Sequence, residues 1–296
     1  MRAYKLMLFY FVICFNIYCM RTIYAKDIEN KLEKVIYDTA TTLAKDAVDG
    51  ISKALAKEDS ERAKFAMNVL LENAEVAKKE AVPLCQDTGM AVFFVELGQD
   101  VHIEGSLKDA LNNATSKAYS AGLRSSVLDP LSRINTKDNT PAIIHINLVE
   151  GDGLKISFMP KGFGAENMTK LYMLFPSAGK QGIINSVVDA AKNAGACPCP
   201  PYVIGVGIGG TSEKALEMAK HGLLREIGST NPDSELAELE KNILDAVNAL
   251  QIGASGFGGN TTALAVHIEK HPTHIAGLPV AINFGCNAMR KAEVIF

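Results

Sequence analysis

No Cys-x2-Cys finger or ferredoxin-type cysteine run occurs in this sequence, so a metal site would have to be assembled by the fold from distant segments. No glycine-rich loop ends in Gly-Lys-Ser/Thr, which removes the P-loop class of nucleotide binders. A long basic stripe is also missing, and the formal net charge is −3; both argue against nucleic acid or an anionic membrane surface as partner. No internal repeat, low-complexity tract or long linker interrupts the chain. What is present is 296 residues, 48% hydrophobic and 21% charged, enough to bury a substantial core and suited to a small-molecule substrate.

The start departs from this ordinary composition. Arg2 and Lys5 precede an apolar run from Leu6 to Met20, and Ile23-Tyr24-Ala25 stands where a cleavage site would, which is signal-peptide grammar. The run of roughly 15 residues falls short of the ~20 that a spanning helix needs. It reads either as a targeting segment or as an upstream extension with initiation at Met20, so residues 1–19 are set apart from a working domain of residues 20–296. Of six cysteines, Cys14 and Cys19 belong to this leader, leaving Cys85, Cys197, Cys199 and Cys286. Cys197 and Cys199 are too close to be natural partners of one another, and the chain is too large to need staples. Reduced thiols in the cytoplasm are therefore expected instead of disulfides.

Apolar residues at three- and four-residue steps predict packed helices between Asp27 and Glu80. Strand signals follow at Met90 to Leu97, then a helix from Ser106 to Ala121. Ile143 to Val149 and Leu154 to Met159 read as two strands joined in a hairpin through Glu150-Gly151-Asp152-Gly153. Helices are expected at Glu166 to Phe175, Lys180 to Ala194, Ser212 to His221 and Ser234 to Leu250, with strands at Tyr202 to Gly207, Leu264 to Ile268 and Val280 to Asn283. The class is α/β in the mixed α+β sense: an N-terminal helical region, and helices packed around small mixed, partly antiparallel sheets in one unit.

The chemistry-bearing stretch is Pro83-Leu84-Cys85-Gln86-Asp87-Thr88-Gly89, where a thiol precedes a carboxylate by two residues. Cys199 lies in Ala196-Cys197-Pro198-Cys199-Pro200-Pro201, and Cys286 in Gly285-Cys286-Asn287-Ala288-Met289-Arg290, both loops punctuated by proline or glycine. Three thiolates and a vacant position suit a [4Fe–4S] cluster with one iron free to act as a Lewis acid, whereas four would suit a closed electron-transfer or structural zinc site. Residues 197 and 199 reach one cluster together only with difficulty, so one of them is expected to be a spectator. Asp87 is read as a proton-transfer group or as a turn- or helix-capping residue. Lys161 with the amides of Gly162 and Gly164 forms an anion-binding loop or a plain tight turn. The glycines of Gly205 to Thr211 and Gly253 to Thr262 are expected to close-pack backbone around the cysteine site.

These motifs, with Asn139-Thr140-Pro141-Ala142 and Pro160-Lys161-Gly162-Phe163-Gly164-Ala165-Glu166-Asn167, run in unbroken order from about Met20 to the C-terminus. Together they resemble the class I iron–sulfur fumarate hydratase/L-tartrate dehydratase family, in particular the α subunit of its two-subunit form. The resemblance implies that Cys85, Cys199 and Cys286 hold a [4Fe–4S] cluster and that Asp87 transfers the proton. It implies that Gln86, Arg124 and His274 contact substrate, Arg124 through the bidentate geometry that suits a carboxylate. It further implies a hydro-lyase acting on fumarate/malate or tartrate, completed by a separate β subunit in an α2β2-type complex. A non-catalytic four-cysteine iron–sulfur or zinc protein is the rival reading of another class.

Overall fold

In the computed structural model, which describes residues 20–296, the N-terminal helical region divides into α1 (Ala25–Thr41), α2 (Lys45–Leu55) and α3 (Glu61–Glu80). The reading of residues 1–19 lies outside the described residues. In α1, Ile28, Leu32 and Ile36 recur every four residues and are all buried, the stripe expected of a helix laid on a core. The Ser60 side chain accepts from the Ala63 N–H to start α3, which ends on Ala81 in the left-handed region at φ 51.

Two four-stranded sheets follow. The first contains β2 (Met90–Gly98), β4 (Ile143–Val149), β5 (Leu154–Lys161) and β10 (Ala292–Ile295), in the order β10-β5-β2-β4. The second contains β6 (Lys170–Leu174), β7 (Tyr202–Gly209), β8 (Ala263–His271) and β9 (Leu278–Gly285), in the order β6-β9-β7-β8. A two-stranded parallel pair, β1 (Arg21–Tyr24) with β3 (Val101–Glu104), completes the strands. The helices α4 (Leu107–Ser120), α5 (Phe163–Glu166), α6 (Gly179–Ala194), α7 (Ser212–His221) and α8 (Ser234–Asn248) alternate with them, as a mixed α/β class requires. No helix among the described residues is long and apolar enough to cross a membrane.

Two expectations are corrected here. Residues 143–149 and 154–161 are strands but do not form a hairpin: β2 lies between them, parallel to β4 and antiparallel to β5. The connecting loop instead arches over the end of β2, where Gly98 N–H donates to the Gly153 carbonyl and Asp100 N–H to the Gly151 carbonyl. A methyl at Gly98 would stand 2.3 Å from the Gly151 oxygen, so the glycine is what permits the crossing. The helix expected over 166–175 is also absent. The one-turn α5 ends where Thr169 turns its hydroxyl onto the Glu166 carbonyl, and residues 170–174 pair antiparallel with β9. Tyr172 and Leu174 pack on the core while Leu171 and Met173 face outward, a period of two that a five-residue apolar run does not distinguish from a helix turn. The short strands β1, β3 and β10 carry too little pattern to be read from sequence.

Three large apolar clusters, and a small one of Ala215, Ala219 and Ala281, hold these layers. One joins α1 and α4 to the first sheet through Ile28, Leu32, Leu111, Phe93 and Phe158; another joins α6 and α8 to the second through Val187, Ile243, Ile204 and Phe284. The third contains Ile51 and Met67 from α2 and α3, Val92 and Phe94 from the first sheet, and Val203 and Ala265 from the second. On the other face of the second sheet α7 packs so closely that methyls at Gly205 and Gly207 would stand 1.9 Å from the Ala219 oxygen and 2.0 Å from the Ala215 oxygen. The glycines of Gly205 to Thr211 therefore serve helix packing, contrary to their expected place around the cysteines. Those of 253–262 do meet the cysteine region, since a methyl at Gly256 would lie 2.6 Å from Ala196 Cβ and Ser255 N–H donates to the Pro200 carbonyl.

Candidate active site

Each of the three predicted ligand cysteines sits in a loop that leads into or out of an interior strand. Cys85 precedes β2, Cys199 precedes β7 and Cys286 follows β9, and each of these strands is paired on both sides. Antiparallel pairing sets Val203 opposite Gly285, so the start of β7 and the end of β9 share one edge of the sheet. There the Asn287 N–H donates to the Cys199 carbonyl at 3.0 Å. Cys199 has φ 56, a left-handed conformation that turns the loop sharply between its prolines. The Cys85 loop is pinned by the Leu84 N–H on the Ala40 carbonyl and by the Asn73 amide on the Leu84 carbonyl, both at 3.0 Å.

All four described cysteines are free; Cys197 and Cys199 are exposed and Cys85 and Cys286 half-buried. Burial pushes the Cys199 thiol up, and charge on Cys286, Cys85, Cys197 and Asp87 pushes it the same way, so these groups share one electrostatic neighbourhood. Among the described residues no three His, Cys, Asp or Glu side chains close on a point tightly enough to hold a single metal ion.

The turn after Cys85 is held from several sides. Gly89 has φ +78, and a methyl there would stand 2.6 Å from the Pro160 carbonyl carbon, so no other residue fits. Asp87 Oδ1 accepts from the Gly89 N–H at 3.0 Å and Oδ2 from the Phe163 N–H at 2.8 Å, a capping role that also aims the carboxylate. The Thr88 hydroxyl donates to the Arg124 carbonyl, and burial pushes the Tyr119 phenol well above its usual range. That phenol stays a neutral donor, 2.8 Å from the Thr88 carbonyl and 3.0 Å from that of Gly89. Fully buried Asn139 donates its amide to the Gly89 carbonyl at 3.0 Å and accepts from the Ser126 N–H at 2.9 Å. Gln86 and Arg124 are exposed beside this turn, with Arg124 Nη1 3.5 Å from the Gln86 carbonyl and Gln86 Oε1 3.5 Å from Cys85 Sγ.

The loop from Lys161 to Glu166 bridges the two sheets. Gly162 precedes α5, and a methyl there would meet Asp87 Oδ2 at 3.1 Å; at Gly164 it would meet the Cys197 carbonyl oxygen at 3.2 Å. Lys161 is only 3% exposed and lies 3.2 Å from Glu166 Oε2, near enough for an ion pair but not aligned for a hydrogen bond. Glu166 also binds Lys220 at 2.7 Å and accepts from the Asn283 amide at 3.0 Å. Burial raises the Glu166 carboxyl, but Lys161 and Lys220 outweigh it and hold the group at about 2. Burial pushes the Lys161 ammonium down, opposed by Glu166 and Cys286.

Sequence reasoning assigned no role to three groups, although Asn139 and Arg290 lie within the motifs it singled out. Tyr119 and Asn139 support the turn, and Arg290, 3% exposed, keeps Nε and Nη1 without partners among the described residues. Its place four positions after Cys286 was the available signal. His274 is not brought to the site: it sits in an exposed turn before β9, and that strand's eight residues put roughly 25 Å between it and Cys286.

With this geometry in place, comparison with known proteins adds the following. The family described as fumarate hydratase (Fumerase) matches residues 29–295. A Methanocaldococcus jannaschii protein described as "Putative L(+)-tartrate dehydratase subunit alpha" is 40% identical over 276 residues, covering 90% of this chain and 96% of its own. The Escherichia coli K12 L(+)-tartrate dehydratase subunit alpha is 30% identical over 275 residues, covering 90% and 91%.

Proposed function

The chain belongs to the fumarate hydratase (Fumerase) family, and on that premise we propose that it is the α subunit of a [4Fe–4S]-dependent hydro-lyase that reversibly hydrates fumarate to (S)-malate in the cytoplasm. The observation that carries the reading is Asp87 fixed by the Gly89 and Phe163 amides in the charge field of the three free thiols. The donor set fits the cluster: the thiols leave three interior strands at separate points.

Cys85, Cys199 and Cys286 would hold the cluster, and Cys197 would remain a spectator. When bound, the cluster supplies Lewis acidity toward a substrate oxygen. The chain's own residues do the rest. Asp87, as a carboxylate, takes the carbon-bound proton in dehydration and, protonated, returns it in hydration. Arg124 engages one substrate carboxylate, since its fork matches two carboxylate oxygens, and Gln86 beside it contributes a hydrogen bond. The Gly162–Gly164 backbone offers close approach to an oxyanion, and buried Lys161 lends the loop positive charge. His274 lies at the far end of β9 from Cys286, so any contact it makes with substrate would have to come from a neighbouring subunit of the assembly.

The relatives described as α subunits support a separate β subunit that completes the site in an α2β2-type complex. The same relatives favour a second reading, L(+)-tartrate as substrate, with the same residues in the same roles. The test is an anaerobic assay of water addition to fumarate and water loss from L-tartrate by the cluster-reconstituted chain with its β subunit. Turnover that needs both chains supports the reading, and the preferred acid names the substrate. A loaded cluster with no turnover of either acid overturns it.

A further inference from the structure

The Phe163 N–H that fixes Asp87 Oδ2 belongs to α5, a helix of one turn. Two hydrogen bonds close that turn, from the Glu166 N–H to the Gly162 carbonyl at 3.1 Å and from the Asn167 N–H to the Phe163 carbonyl at 3.0 Å. So short a helix does not hold itself, because ordering a first turn costs more than its hydrogen bonds contribute. Gly162, which precedes it, has no side chain to cap it. The place of the Phe163 amide is therefore set from outside the helix.

Glu166, the last residue of α5, supplies that hold. Its Oε1 accepts from Lys220 Nζ of α7 at 2.7 Å. Its Oε2 lies 3.2 Å from Lys161 Nζ of β5 and accepts from the Asn283 amide of β9 at 3.0 Å. The same amide donates to the Thr169 hydroxyl at 2.9 Å, where the chain leaves the turn. One carboxylate thus ties a strand of the first sheet to a strand and a helix of the second, and Lys161 and Asn283 are both buried. Burial raises the Glu166 carboxyl, but Lys161 and Lys220 hold it at about 2, so at neutral pH it is a fixed charge and not a proton donor.

We propose, building on the hydro-lyase reading above, that Glu166 is a positioning residue for Asp87: it clamps α5 between the two sheets so that the Phe163 amide meets the carboxylate. The line of contacts runs from Glu166 through one helical turn to the Phe163 N–H and on to Asp87. Gly162 keeps the last step close, since a methyl there would already meet Asp87 Oδ2 at 3.1 Å.

The test uses the cluster-reconstituted chain with its β subunit, and reads iron and sulfide content, anaerobic kcat and KM, and amide hydrogen exchange across residues 162–167. Glu166→Gln keeps the shape of the side chain and removes the charge that the two lysines face. It should load iron and sulfide as wild type does and exchange the 162–167 amides faster. Its kcat should fall roughly tenfold with KM within about twofold, less than the 10² of a 1 Å misplacement. Glu166→Asp, which keeps the charge, should recover part of that loss.

The deciding variant places Glu166→Gln in the Asp87→Asn background. It should turn over no more slowly than Asp87→Asn alone, because residues that act as a unit are not additive. Losses that multiply in full overturn the inference and leave Glu166 a structural ion partner. Should Glu166→Gln not fold, Lys220→Gln removes one arm of the clamp at a side chain 19% exposed, and unchanged kcat and exchange there overturn the inference. A wild type with a loaded cluster that turns over neither acid overturns the hydro-lyase reading. Exchange across 162–167 then decides the clamp alone, and no acceleration in Glu166→Gln overturns that as well.

Discussion

Asp87 Oδ2 accepts the backbone N–H of Phe163 at 2.8 Å, a hydrogen bond that ties the turn before β2 to the loop after β5. Asparagine at 87 keeps an acceptor for one of its two amide partners but cannot take up a proton at neutral pH. Asp87→Asn should therefore retain iron and sulfide while turnover falls by 10²–10⁴, as for other positioned acid/base groups. Metal analysis alongside anaerobic kcat checks both halves, and loss of the cluster in the variant would reassign Asp87 to structure.

Two glycines around this bond should respond differently. A methyl at Gly162 would press on Asp87 Oδ2 at 3.1 Å, so Gly162→Ala should melt near the wild-type temperature and lose roughly tenfold in turnover, less than the 10² of a 1 Å misplacement. At Gly89 the methyl would strike Pro160 at 2.6 Å in a φ +78 conformation, so Gly89→Ala should lose about 1–3 kcal/mol or more of stability. Thermal melts with parallel rates separate the two effects.

Cys197 and Cys199 are both exposed, but only the Cys199 loop is tied by its carbonyl to the Asn287 amide beside Cys286. Cys197→Ser should keep iron, sulfide and turnover close to wild type, whereas Cys199→Ser should lose the cluster. Equal damage from both would favour the four-thiolate alternative.

Away from the site, Glu29 joins α1 to α4 through Lys117 at 2.7 Å and also pairs with Lys26 at 2.6 Å. Hydrogen bonds from Lys117, then Lys26, hold its carboxyl at about 2, below the ordinary 4.5. A folded-state value below the unfolded one adds stability above the unfolded pKa, which is lost as pH falls from about 4.5 toward 2. Wild type should lose stability through that window, and Glu29→Gln, already less stable at pH 7, should lose less. Denaturant midpoints at pH 7, 4.5 and 3 measure the difference.

The long helices were legible because apolar spacing and caps coincide: Ser60, Ser106 and Asp233 each accept from an amide in the first turn of the helix they precede. The separation of β4 from β5 by β2 was not legible because Glu150-Gly151-Asp152-Gly153 carries a hairpin's composition, while the order of strands is chosen by tertiary packing. As candidates, Cys85, Asp87, Cys199 and Cys286 stood out in sequence through their proline- and glycine-marked loops. The roles of Tyr119, Asn139 and Arg290 were not legible, even with Asn139 and Arg290 inside quoted motifs, since each acts through burial and a residue in sequence does not announce that it will be buried. His274 is the residue whose sequence spacing says least about its place: twelve positions before Cys286 become the length of a strand in space.

Fraying of a sheet begins at its edges, here β4, β10, β6 and β8, whereas β2, β7 and β9 exchange their amides only when a whole ladder opens. The three thiols thus hang from the parts of the fold that open last, and their spacing is set by folding before anything binds them. A group gripped by these thiols should therefore leave and return without the chain unfolding. The geometry is that of a socket, in which a damaged occupant should be replaceable by refilling.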